Sequence, residues 1–196
     1  MTVAAPHTSL ATFADLAVRP DDIRAEIVHG MIVEKPSPSA QHGRSQMMFG
    51  AMLARRFQRK PGGRWPGGWW FGTEIDVQYE THEIYVHDVV GWRRDRVPEP
   101  PVGRPVRTRP DWACELLSPS TAKRDCVDKL GVLHANQVPH YWIADPVEQR
   151  LVVHRWEPGG YREILTAGIA DMVRAEPFEA SELRLSVLFG TEDDEE

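Results

Sequence analysis

Hydrophobic and polar positions alternate along some parts of the chain and recur at helical spacing in others. The alternation predicts a hairpin at residues 25–28 and 31–34 around His29-Gly30, and strand pairs at 69–79 with 84–92 and 151–156 with 161–166. Near-continuous apolar runs at 112–117 and 141–144 are typical of buried strands. Helical spacing predicts helices at 11–17, 41–60 and 118–136. Residues 183–189 fit a last strand or a short helix, so the pattern predicts a mixed α/β (α+β) sheet with flanking helices.

Length and composition favour a single domain. The 196 residues are 41% hydrophobic and 27% charged, so we expect one domain over residues 1–190 and an acidic tail over 191–196. No apolar run reaches the length of a bilayer span, which predicts no membrane partner. Residues 1–20 lack the features of a signal peptide, and Cys114 and Cys126 are expected to be reduced and structural. We therefore expect a cytoplasmic protein.

The charges are distributed unevenly along the chain. The net charge is −6, but five acids of the tail account for most of it. Residues 35–73 contain seven basic side chains and no acid, and residues 93–109 contain six arginines within a proline-rich loop. Each basic stretch can be either a solvated face or a surface that contacts nucleic-acid phosphates.

Two acids interrupt apolar strands. Glu115 lies in the middle of the strand at 112–117, and Asp88 lies in the strand at 84–92. Buried carboxylates on neighbouring strands repel each other unless a cation neutralises them, and their hard oxygen atoms suit magnesium. Alternatively, each acid pairs with an arginine or caps a turn.

Lys129 follows the Glu115 strand on the next predicted helix. A helix that returns along the sheet can bring this lysine to the polar end of the strand. The other interpretation is a surface ion pair with Asp125, one turn earlier, contributing about 0.3–0.5 kcal/mol.

The run from Glu115 through Leu-Ser-Pro-Ser-Thr to Asp125, then Lys129, then the Tyr-Trp-Ile-x-Asp-Pro run at 141–146, has a specific resemblance. It is similar to the Uma family of restriction endonucleases, a branch of the PD-(D/E)XK nuclease superfamily. The Glu26 hairpin and His42 resemble the family's opening motifs, so the likeness covers about residues 24–189.

The resemblance implies a restriction-endonuclease-like core with Asp88 and Glu115 as the metal-binding acids. It implies Lys129 as the lysine that orients water, with Lys123 as the alternative, because Leu117 stands where the superfamily motif has lysine. A carbonyl near Leu116 would add a metal ligand. His87 replaces the motif's proline, a change expected to be harmless.

Two further acids need separate interpretations. Glu26 resembles an extra acid that could hold a metal-bound water or a second ion. Asp111 follows Pro110 and spells the motif literally, but it lies four residues from Glu115, about 13 Å along an extended strand. Since that separation is too long for one shared ion, we favour Asp88.

The resemblance thus implies a magnesium-dependent endonuclease that hydrolyses DNA, with manganese as a substitute and a homodimer as a possible assembly. His42, Arg44, Arg55 and Arg59 are the expected DNA contacts. The main alternative is a catalytically inactive nuclease fold that binds nucleic acid or protein. Another metal hydrolase, or a Ser-His-Asp hydrolase, has no supporting motif here.

Overall fold

A computed structural model describes residues 9–20, 23–118 and 122–192. The strands in chain order are β1 (Ala25–Val28), β2 (Met31–Glu34), β3 (Trp69–Glu80), β4 (Glu83–Arg93), β5 (Trp112–Leu116), β6 (His140–Asp145), β7 (Arg150–Glu157), β8 (Gly160–Gly168), β9 (Met172–Val173) and β10 (Leu183–Arg184). The helices are α1 (Phe13–Ala17), α2 (Ala40–Phe57), α3 (Lys129–Ala135) and α4 (Leu185–Leu188). A π-helical turn, Arg124–Asp128, leads into α3.

Most boundaries follow the sequence patterns. The hairpin of β1 and β2 is confirmed residue for residue. The 41–60 helix begins one residue earlier, after the Ser39 cap, and ends at Phe57 because Gln58 leaves helical geometry. At 183–189 the chain forms both suggested elements, a two-residue strand and then a short helix. The predicted helix start at Pro119 lies outside the described residues.

Strands β1 to β8 form a mixed sheet in the order β2-β1-β4-β5-β6-β7-β8, in which β3 also pairs with β4, and β9 pairs with β10 separately. β3 is antiparallel to β4 along nearly its whole length. The opposite edge of β4 is shared, because β1 pairs there only at Ile84 and β5 only from Val89 to Gly91. This division leaves an interval in the middle of β4 where backbone groups need other partners.

Apolar side chains cover both faces of the sheet. One face packs against α2 and the C-terminal segment, with Trp112, Trp142 and Phe178 in contact at ring separations of 5.1–5.4 Å. The other face packs against α3 around Tyr141 and Leu133. Each fully buried large side chain contributes about 1.5–3 kcal/mol, so these two layers fix the sheet between the helices.

Several broader expectations meet the structure only in part. No helix among the described residues is long and apolar enough to cross a membrane. Cys114 and Cys126 are both free thiols. Residues 193–196 of the acidic tail lie outside the described part, and the division into one domain and a tail stays a prediction.

Candidate active site

The site forms where β4 lacks a continuous strand partner. Side chains replace the missing strand at Val86: Glu26 accepts a hydrogen bond from its N–H at 3.2 Å, and Lys35 donates to its carbonyl at 2.8 Å. Buried backbone groups need partners, so this interval draws one acid and one lysine to the same residue, Val86. The ends of β1 and β2 thereby meet the middle of β4.

The side chains of β4 change their alternation beside this interval. The His87 side chain faces the α3 side of the sheet, where it contacts Glu115. Val90 packs on that same side. Asp88 and Val89 between them both face α2, which two consecutive residues of a regular strand would not do. On β3, Glu74 has a left-handed φ of 55° at the facing position. The irregularity turns Asp88 toward the first turn of α2, as bulges do near functional sites.

Asp88 is an ionised carboxylate held by three groups. One oxygen accepts a hydrogen bond from Lys35 Nζ at 3.0 Å and lies 3.7 Å from His42 Nε2. The other accepts from the backbone N–H of Leu116 at 2.8 Å. Burial alone would raise the pKa of Asp88, but the His42 ring, the Lys35 ammonium and the Leu116 N–H together hold it well below its ordinary value.

Glu115 is buried on the α3 side. Its Oε1 lies 2.6 Å from His87 Nδ1 and 3.0 Å from Lys129 Nζ. Burial raises the pKa of Glu115 well above its ordinary value, and although Lys129 opposes this, Asp88 and Asp125 add to it. The carboxylate form of Glu115 therefore gains from any further cation that reaches it.

His87 is a neutral member of this group. Burial, and then the nearby Lys129 charge, lower the pKa of His87 to about 3. A neutral imidazole donates at one nitrogen and accepts at the other, and its second partner is the Tyr79 hydroxyl at 2.7 Å. The replacement of proline by histidine thus adds a polar contact to Glu115, which the sequence comparison did not anticipate.

Lys129 lies at the centre of a buried charge cluster. Its Nζ is 3.0 Å from Glu115, 3.0 Å from Asp125 and 3.1 Å from Glu26, and its side chain has 0% exposure. These carboxylates outweigh burial and raise the pKa of Lys129 well above its ordinary value. The predicted proximity of Lys129 to Glu115 is confirmed. The interpretation of Asp125 and Lys129 as a surface pair is wrong, because both are buried.

A cavity of about 230 Å³ opens beside the acids. Asp88, Glu115, Lys35 and His42 all line it, together with Asp125. His42 is placed by the start of α2, where its N–H donates to the Ser39 side chain at 3.1 Å. Lys129 and Glu26 do not line this cavity.

The cavity offers a small set of carboxylates to a metal ion. Within residues 9–20, 23–118 and 122–192, no group of three or more His, Cys, Asp or Glu side chains is arranged to hold a metal ion. Magnesium is nevertheless commonly bound by one or two carboxylates together with water and substrate phosphates. Asp88 and Glu115, from adjacent strands, are two carboxylates that line the cavity and would be the residues to hold such an ion.

The family model described as "Putative restriction endonuclease", Uma2, matches residues 10–187 of the chain. The chain belongs to the Uma2 family. A solved structure of "a putative nuclease belonging to DUF820 from Anabaena variabilis ATCC 29413" is 19% identical and superposes with a TM-score of 0.72. That likeness covers 91% of this chain and 97% of the other, and it establishes the nuclease-like fold. No curated protein matches the chain.

The structure places one of the four predicted DNA contacts at the cavity and the other three away from it. In this Uma2 family chain His42 reaches the cavity, whereas Arg44, Arg55 and Arg59 are exposed residues of α2 and the turn after it. Positions 44 and 55 lie on one side of α2 and Arg59 lies beyond its end, and none of the three lines the cavity. Their contact with DNA remains a prediction that needs a long substrate.

The second basic stretch contains many internal contacts. Arg93 pairs with Asp95, Arg96 with Asp111, and Arg104 with Asp76. Asp111 also accepts a hydrogen bond from the Arg93 N–H at 2.7 Å. It does not line the cavity. Its exclusion as a metal ligand on sequence separation agrees with this placement.

Sequence reasoning missed two parts of the site. Lys35 was counted only as one of seven basic residues, although it contacts Asp88 directly. Gln46 was not considered, yet its amide donates to the Asp88 carbonyl at 2.9 Å and to Glu74 at 2.7 Å. The available signal for Lys35 was its position directly after the hairpin that begins with the family's opening motif.

Proposed function

We propose that the protein is a magnesium-dependent endonuclease that hydrolyses DNA phosphodiester bonds in the cavity beside Asp88 and Glu115, with manganese as a substitute. The observation that carries the proposal is that two buried acids from adjacent strands line one open cavity together with a lysine and a histidine. Family membership supports the same reaction class.

Asp88 and Glu115 are the residues that would hold the metal. When bound, magnesium would supply a coordinated water of lowered pKa and neutralise charge on the phosphate. The Leu116 N–H and Lys35 orient the Asp88 carboxylate, and His87 and Lys129 orient Glu115. Locked carboxylates of this kind reduce the reorganisation needed when substrate binds.

The test is cleavage of supercoiled plasmid and of single-stranded DNA with magnesium, manganese or EDTA. Asp88→Asn and Glu115→Gln keep the shape of each side chain and remove its charge. Asp111→Asn is the matched control, since Asp111 is also a buried acid near β5 but contacts Arg96 instead of the cavity.

We expect metal-dependent cleavage by wild type and Asp111→Asn, and loss of at least about 10²-fold in the two site variants. If folded wild type cuts neither substrate, or if Asp88→Asn and Glu115→Gln cut equally well, the catalytic proposal fails. Binding of DNA without cleavage would then favour an inactive nuclease fold. A homodimer stays a prediction, to be measured by light scattering.

A further inference from the structure

We infer that Lys35, from the end of the β1–β2 hairpin, is the lysine that contacts the substrate phosphate, and that Lys129 is a buried positioning residue. This inference rests on the proposed function of the cavity. Lys35 lines the cavity with Asp88 and Glu115, whereas Lys129 does not. The motif resemblance points to Lys129 because it follows Glu115 along the chain, but position in space favours Lys35.

Lys129 has no capacity for another anion. Its ammonium group has three N–H donors, and three carboxylates lie within 3.1 Å of it. None of its side-chain surface is exposed, so a phosphate would have to displace an acid from a buried cluster. Separating a buried ion pair costs several kcal/mol, which makes that exchange unfavourable.

Lys35 has that capacity. Its Nζ donates to the Val86 carbonyl at 2.8 Å and to Asp88 at 3.0 Å. No third acceptor contacts Nζ among the described residues. Its side chain is 8% exposed, so it is restrained by packing while its end reaches the cavity. A lysine ammonium has three N–H donors, so Lys35 keeps one donor for an incoming phosphate.

Two restraints fix the direction of the Lys35 ammonium group. The carbonyl of Val86 belongs to the interval of β4 that lacks a strand partner on the edge shared by β1 and β5, and Asp88 faces the first turn of α2. The ammonium group of Lys35 is therefore held beside Asp88 before substrate binds. Such a fixed donor stabilises developing charge without reorganisation.

The inferred role is charge stabilisation, and Lys35 keeps its proton throughout. In the hydrolysis, the water oxygen bonds to phosphorus and the bond from phosphorus to the leaving sugar oxygen breaks. One proton passes from the water to solvent, and the leaving oxygen takes one from solvent. Lys35 would contact a non-bridging phosphate oxygen during this exchange.

The experiment compares Lys35→Gln, Lys35→Arg and wild type in three assays. These are plasmid cleavage with magnesium, fluorescence anisotropy of a labelled oligonucleotide with calcium, and calorimetric titration with manganese alone. Lys60→Gln removes one exposed lysine outside the cavity and measures the background effect of net charge.

We expect Lys35→Gln to cut at least about 10²-fold more slowly and to bind the oligonucleotide more weakly than Lys60→Gln does. Manganese affinity should be unchanged or higher, because the variant removes a positive charge beside Asp88. Lys35→Arg should recover part of the lost cleavage, since it retains the charge. A merely structural tether would instead lower thermal stability while leaving the cleavage rate of the folded protein intact.

A chemical rescue keeps the inference testable if Lys35→Gln folds poorly. Lys35→Cys is made with Cys126→Ser, because Cys126 is partly exposed and Cys114 is buried. Alkylation with 2-bromoethylamine then forms a side chain close to lysine in length, with loss of bromide. We expect cleavage to rise at least about tenfold on alkylation.

The outcomes separate this inference from the proposed function. If wild type cuts and Lys35→Gln cuts equally well, Lys35 is not the phosphate contact and only this inference fails. If wild type does not cut, the proposed function fails, and a selective loss of oligonucleotide binding in Lys35→Gln would still support the phosphate contact. Equal binding by Lys35→Gln and Lys60→Gln in that case would overturn both.

Discussion

Two lysines lie near one residue of β4, Val86, and occupy opposite environments. Lys35 donates to the carbonyl of Val86, and Lys129 contacts Glu26, which accepts the N–H of the same residue. Lys35 has one acid partner beside an open cavity, whereas Lys129 has three acid partners and no exposed surface. We call Lys35 and Asp88 the open side. We call Lys129 and the three acids that contact it, Glu26, Glu115 and Asp125, the dry cluster.

The difference separates a lysine beside the cavity from a lysine that holds Glu115 in place. In the dry cluster every positive charge is matched by nearby carboxylates, and Arg124 adds a second cation at 2.7 Å from Glu26. Such a network is stable only while all of its members remain, because one missing charge leaves the others buried without a partner. On the open side, the Asp88–Lys35 pair borders a cavity, so a ligand can reach it.

The strongest way to break this comparison is removal of the dry cluster's central charge. Lys129→Met should destabilise the protein by about 3–5 kcal/mol, because Glu26, Glu115 and Asp125 would remain buried and Arg124 beside Glu26 would offset only part of the lost charge. Lys35→Met should cost much less, since one carboxylate beside a cavity can be hydrated. Urea denaturation measures both, with a failure of Lys129→Met to fold giving a lower limit. Equal stabilities of the two variants would contradict the distinction.

Glu26 provides the next test, because family resemblance gives it a catalytic role and the structure gives it 0% exposure. Glu26→Gln should lower stability by about 1.5–3 kcal/mol through weaker hydrogen bonds to Lys129 and Arg124. Manganese affinity, measured by calorimetry, should change less than tenfold, whereas Asp88→Asn should lose most of it. A comparable loss in Glu26→Gln would place Glu26 among the metal ligands instead.

The sequence predicts the elements well where local patterns are strong. β1, β2, α2 and β5 follow from alternation, helical spacing and one apolar run, and each is long enough to show its period. β9 was not predicted, since two residues cannot show an alternation. The π-helical turn was missed because its residues have the same polar and apolar spacing as an ordinary helix.

The sequence predicts the two acids of the candidate site but not the contacts that their lysines make. Asp88 and Glu115 were found because acids are unusual within apolar strands. Lys35 was missed because its partner Asp88 is 53 residues away, and nothing local indicates that the hairpin returns to β4. The burial of Lys129 was missed because it depends on Glu26, which reaches the cluster only after the sheet assembles.

Backbone strain offers a sharper test of the open side. Glu74 adopts a φ of 55°, and its carboxylate contacts Arg24 and Gln46, which in turn holds the Asp88 carbonyl. Left-handed geometry costs a residue with a Cβ about 1–2 kcal/mol and costs glycine little. Glu74→Gly should therefore be more stable than Glu74→Ala by about that amount.

Both Glu74 variants lose the carboxylate, so their difference in urea denaturation isolates the backbone term. Cleavage should fall by a similar factor in both, since each frees Gln46 from one of its two acceptors. If alanine were as stable as glycine here, the left-handed conformation would not be a strained feature of the site.

The smallest effect should come from a neighbour of the dry cluster, Tyr79. Its hydroxyl lies 2.7 Å from His87 Nε2, and His87 continues the contact to Glu115. Tyr79→Phe removes one buried hydrogen bond without a large cavity and should cost about 0.5–1.5 kcal/mol. Because His87 is neutral and Lys129 still holds Glu115, manganese affinity should remain close to that of wild type. A large loss of manganese binding with little loss of stability would show that the dry cluster tunes the metal ligand, and the distinction between the open side and the dry cluster would then fail.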